Sequence, residues 1–110
     1  MEINEELEEV PLKEPCAVVW DASLGRNLYI GMAREKVDEN YYMVEYLECV
    51  SPDSTRRLWK YPKKEDEQKT NIVQIIPCNV LGSWNMTSRQ SKLEVENWEV
   101  IEGLFQSMYK

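Results

Sequence analysis

The chain has no histidine, only four glycines and one phenylalanine among 110 residues, and no apolar run approaching the length of a membrane helix. Each shortage excludes something. A membrane helix needs about 20 consecutive apolar residues, so no span is expected. Without histidine there is no Cys/His zinc set. With so few glycines there is no phosphate-cradling loop and no nucleophile elbow. The pair Glu65 and Glu67 lies in a polar stretch, where nothing would tune a carboxyl for acid or base work. The expectation is a protein that is not an enzyme, with no cofactor and no metal.

Cysteine is also scarce. Cys16, Cys49 and Cys78 are odd in number and widely spaced, which argues against a disulfide framework and for small buried side chains. The N-terminal run MEINEELEEV is acidic where a secretory signal would be basic and then apolar, so the chain is expected inside the cell.

What is present is a net charge of −7 and 43% hydrophobic residues, the composition of one soluble globular domain. The charge is uneven. Residues 1–14 hold six glutamates against Lys13 alone, while residues 15–110 carry 12 bases and 14 acids. Residues 1–14 therefore read as an acidic flexible tail or linker, and 15–110 as a nearly neutral folded domain.

Residues 16–21 form a near-continuous apolar strand, and Ala22 to Gly25 supplies a turn. Asn27 to Arg34 alternates, with Leu28, Ile30 and Met32 on one face and Tyr29, Gly31 and Ala33 on the other. Tyr41 to Glu48 alternates again, placing Tyr42, Val44 and Tyr46 together. A short strand at Arg56 to Tyr61 ends at Pro62, a polar loop runs to Lys69, and the apolar run Asn71 to Val80 predicts a strand in which Pro77 marks either an edge or a bulge where it bends into a second strand. Lys92 to Glu96 predicts a closing strand. Residues 97–109 predict an α-helix with Asn97 as N-cap and Trp98, Ile101, Phe105 and Met108 on its buried face. The fold class expected is mainly β: a small SH3-like barrel of five to six strands with a C-terminal α-helix.

Two runs, CAVVWDASLGRNLYIGMARE and YYMVEYLECV, resemble the opening strands of Tudor domains, SH3-like barrels that read chromatin. The resemblance covers about a third of the chain and implies a nuclear protein that binds a basic or methylated peptide, such as a histone tail, in an aromatic cage. Glu48 matches the family's acid, whereas Leu28 and Cys49 stand where it has aromatics and Val50 where it has glycine. A cage here would draw instead on Trp20, Tyr29, Tyr42, Tyr46 and Trp59, with Asp21 and Asp66 supplying the negative charge a cation requires. Trp20 and Trp59 end strands beside polar turns, where a ring is expected to be half exposed. Core packing accounts for the same rings, since aromatics stabilise sheets through cross-strand pairs.

A second constellation is Arg56, Arg57, Lys60, Lys63, Lys64 and Lys69, interleaved with Trp59 and Tyr61. Bases that neutralise phosphates beside rings that stack on nucleobases would bind DNA or RNA, as in the similar barrels at the C-terminus of integrases. An ordinary charged surface loop accounts for the same residues. Docking of another protein or a second copy is the third reading, and the sequence leaves the oligomeric state open.

Overall fold

A computed structural model describes residues 10–22, 25–50, 56–84 and 91–108, with the backbone alone at 21, 22 and 25–27. The proposed turn at 23–24, the loops around Pro52 and Asn85, most of the acidic tail and residue 109 lie outside the described residues.

The alternating runs become strands. β1 (Pro15–Ala22), β2 (Gly25–Lys36) and β3 (Tyr41–Tyr46) form an antiparallel meander, and β4 (Glu48–Cys49), β5 (Leu58–Lys60), β6 (Glu67–Asn71), β7 (Gly82–Trp84) and β8 (Lys92–Val95) follow, ahead of α1 (Trp98–Met108). Among the described residues these strands make two four-stranded sheets, ordered β1-β2-β3-β6 and β4-β5-β8-β7. The fold is thus mainly β with a C-terminal helix, as expected. No ladder among the described residues closes the two sheets into a barrel. The chain crosses between them at Leu47, whose N–H donates to the Ile30 carbonyl at 3.0 Å.

β1 is buried on both faces, which is why it reads as an unbroken apolar run. Ala17, Val19, Leu28 and Ile30 pack with Leu47, Trp59, Ile76, Leu93, Val95, Trp98 and Ile101, filling the space shared with the second sheet and α1. The opposite face carries a second cluster of Cys16, Val18, Ala33, Tyr42, Val44, Tyr46 and Ile75, with Trp20 and Tyr29 packed against it. Gly31 lies on that face, where a Cβ would stand 2.5 Å from Val44 Cγ1 and 3.1 Å from the Glu45 carbonyl oxygen. Only a bare backbone permits so close an approach. The ladder slips between Ala33 and Glu35, so Arg34 is the extra residue of a bulge.

Two expectations are corrected. The stretch 71–80 is not a bent strand. The Asn71 side chain accepts from the Val73 N–H at 2.9 Å and the Gln74 side chain accepts from the Asn71 N–H at 3.2 Å, a capping box that winds Ile72–Gln74 into a 3-10 turn. The chain then runs along the edge of β1, where the Ile76 N–H donates to the Ala17 carbonyl at 2.9 Å. Ile75 joins one cluster and Ile76 the other, so the apolar run covers a sheet edge. The polar stretch before it is not loop throughout. Its last residues begin β6, which pairs with β3 through the backbone although only Thr70 of Glu67–Asn71 is buried.

α1 begins where expected. The Asn97 carbonyl accepts from the Val100 and Ile101 N–H groups. Its side chain is used elsewhere, accepting from the Leu81 N–H at 2.9 Å and donating to the Asn79 carbonyl at 3.0 Å, which ties the 79–81 segment to the helix start. Trp98 and Ile101 are buried as the periodicity requires, whereas Met108 is 45% exposed because the last turn runs past the core.

Candidate functional site

Three of the seven proposed cage residues converge as rings. In the β1–β2 register Val18 opposes Tyr29, and in the β2–β3 register Gly31 opposes Tyr46. Trp20, Tyr29 and Tyr46 therefore share a face at one end of the first sheet. The ring centroids of Trp20 and Tyr46 are 6.2 Å apart with planes at 55°, and those of Tyr29 and Tyr46 are 6.3 Å apart at 86°. Trp20 and Tyr29 are half-buried, while Tyr46 forms the floor at 5% exposure.

Hydrogen bonds fix the floor. The Thr70 hydroxyl donates to the Gln68 carbonyl at 3.2 Å, so at the 2.6 Å contact between Tyr46 and Thr70 the phenol is the donor. The Trp20 indole N–H donates to the Tyr46 oxygen at 2.8 Å, completing a relay with one donor direction throughout. Such a chain holds the Trp20 ring at a set tilt. Burial pushes the Tyr46 phenol up to about 12, partly offset by its bonds to Thr70 and Trp20.

Cys16, on the same face, is likewise pushed up to about 12 by burial. Both groups hold their protons more tightly folded than unfolded, so their contribution is intact below their ordinary values of 9.0 and 10.0 and is lost as pH rises towards about 12. Urea midpoints should therefore fall across that alkaline window. Tyr46→Phe with Cys16→Ala should flatten the fall.

Asp66 meets Tyr46 through the backbone. Its carbonyl accepts from the Tyr46 N–H at 2.7 Å, and its carboxylate, which accepts from Gln68 Nε2 at 3.1 Å, is near enough to help raise the phenol. The side chain of Asp21 lies outside the described residues. Tyr42 shares the face but is 1% exposed, and its hydroxyl accepts from the Val10 N–H at 3.1 Å, pinning the segment before β1. It is a core residue.

Trp59 is a correction. It was expected to be half exposed beside Trp20, yet it is 1% exposed and belongs to the cluster on the other face of the first sheet. It stands opposite Cys49 and Leu93, its ring centroid is 5.9 Å from that of Trp98, and its indole N–H donates to the Arg56 carbonyl at 2.7 Å.

The six bases are not brought into one stripe. Arg57 is ion-paired with Glu99 of α1. Arg56 is exposed with φ 53°, a conformation a side chain other than glycine takes up at some cost. Lys60 lies between Glu48 and Lys92 in the second sheet, and Lys63 and Lys64 occupy the exposed turn after it. Lys69 is in the other sheet, with its ammonium 4.7 Å from the Tyr41 ring centroid. One aromatic pair has no counterpart in the sequence reading: Tyr61 and Trp84 stack with centroids 5.7 Å apart at 12°. The two meet only because β5 and β7 both pair with β8, which local periodicity does not reveal.

Among the described residues no group of three cysteine, aspartate or glutamate side chains is arranged to hold a metal. No family model matches the chain, and neither a curated protein nor a solved structure matches it.

Proposed function

We propose that this chain is a non-catalytic binding module that takes a cationic side chain, such as a methylated lysine or arginine of a histone-like tail, between Trp20 and Tyr29. The observation that carries the reading is the convergence of two half-buried rings on the Tyr46 floor at steep angles, with the Asp66 backbone bonded to the floor residue. Rings set at large angles present their negative faces to one volume, which suits a cation with a diffuse charge. The passage from β3 to β4 through Leu47 alone supports an SH3-like, Tudor-like arrangement, and the net charge of −7 favours encounter with a basic partner.

Two rings and one carboxylate supply a few kcal/mol, so the affinity expected for a single side chain is on the order of 0.1–1 mM. Isothermal titration with a trimethyl-lysine peptide and its unmodified counterpart tests this. The methylated peptide should bind tighter, and Tyr29→Leu and Asp66→Asn should each weaken it by about 5–10-fold. Equal binding of both peptides, or no response to either substitution, would refute the reading.

A further inference from the structure

β6 is the last strand of the first sheet and pairs with β3 alone, so one of its edges is open. In an antiparallel pair, alternate residues turn both backbone groups toward the partner strand and the others turn them away. The bonds from the Tyr46 N–H to the Asp66 carbonyl and from the Ile72 N–H to the Asn40 carbonyl fix that alternation here. Asp66, Gln68, Thr70 and Ile72 face β3. Glu67 and Lys69 therefore direct N–H and C=O outward, and no group among the described residues takes them. Asn71 also faces outward, but its N–H is held by the Gln74 side chain.

Nothing blunts this edge as the opposite one is blunted. Along β1 the edge is covered by Ile75 and Ile76. Residues 66–69 are exposed, and neither a proline nor a bulge interrupts the ladder from Glu67 to Asn71. A regular open edge is a template for a further strand.

Charge decides which strand fits. Glu67 and Lys69 are two residues apart and project from one face of β6. If a second copy lies antiparallel across a two-fold axis, outward groups must meet outward groups, so the axis passes through a residue. An axis through Glu67 or through Lys69 sets that charge against itself, and one through Thr70 needs the Asn71 N–H that Gln74 already holds. An axis through Gln68 sets Glu67 of each copy against Lys69 of the other and forms four backbone bonds. Cross-strand pairs of opposite charge favour that register. The net charge of −7 sits mainly in residues 1–14, and residues 15–110, with 12 bases and 14 acids, are not strongly set against a copy of themselves.

We propose that the β6 edge pairs with the β6 edge of a second copy, antiparallel about Gln68, joining the two first sheets into one of eight strands. The axis stands perpendicular to the sheet, so the Trp20, Tyr29 and Tyr46 rings of both copies share one face. On the reading above that face holds two sites, while the dimer itself does not depend on that reading.

Four backbone bonds and two exposed ion pairs make a weak dimer, expected on the order of 0.1–1 mM. Sedimentation of the full chain across about 0.01–1 mM should show a reversible monomer–dimer equilibrium. Glu67→Lys alone and Lys69→Glu alone each place like charges opposite one another and should weaken it by about 10-fold or more. An equimolar mixture of these two variants restores opposite charges across the edge and should associate about as well as the unaltered chain. Circular dichroism and the melting midpoint confirm that each variant is folded. A chain that stays monomeric at about 1 mM would overturn the proposal. So would a dimer that either variant leaves intact, or a mixture that fails to associate. Trp20 and Tyr29 are untouched throughout, so the result stands apart from that of the methylated peptide.

Discussion

Replacing Trp59 with alanine is expected to destabilise the fold by about 3–5 kcal/mol, a large share of the stability of a domain this size. The ring is 1% exposed and touches both layers: it stands on β5 between Cys49 and Leu93, and the Trp98 ring of α1 lies over it. Truncation leaves a cavity where sheet and helix meet and removes the indole N–H that holds the Arg56 carbonyl. Trp20→Ala removes an equally large ring from a half-buried position and is expected to cost markedly less. Urea denaturation of the two variants measures the difference. Equal losses would contradict the assignment of Trp59 to the core and Trp20 to the surface.

Removing the Arg34 guanidinium is the second large effect. Glu45 is fully buried in β3, and Arg34, thrown outward by the bulge in β2, pairs with it while its own side chain stays 44% exposed. Glu65 stands further out, 3.8 Å from the same guanidinium nitrogen. Breaking a fully buried pair costs about 3–5 kcal/mol because one charge is left behind, and the half-exposed arginine lowers the expectation to about 2–3 kcal/mol for Arg34→Met. The double variant Arg34→Met with Glu45→Met removes both charges and should recover most of that loss. A double variant less stable than the single would show that the carboxylate is held chiefly by other partners.

Much of the first sheet was legible in the residues. The alternation at 27–34 and 41–48, and the unbroken run at 16–21, follow from which faces are covered. The boundary between β3 and β4 at Leu47 falls inside a run of constant alternation, so the change of sheet left no local mark. β6 was missed for a related reason. Glu67, Gln68 and Lys69 carry no apolar signal, because an edge strand exposed to water is held by its backbone bonds to β3 and by Thr70.

The run at 71–80 misled in the opposite direction. Its isoleucines cover both faces of β1 from the edge, and the capping side chains of Asn71 and Gln74 outweigh strand propensity. At the candidate site, strand parity placed Trp20, Tyr29 and Tyr46 together, since each belongs to one continuous meander. Trp59 was misplaced because its neighbours arrive from β8 and α1, more than 30 residues further on. Burial set by distant pairing has no local signature.

The most direct test of the central claim follows backbone and indole N–H signals of the labelled chain by NMR as a trimethyl-lysine peptide is added. The indole signal of Trp20 and the backbone signals of Tyr29 and Asp66 should move together along one binding curve, while the indole signals of Trp59 and Trp98 stay in place. Shifts centred on Lys60 to Lys64 or on α1, with the Trp20 indole unmoved, would contradict it.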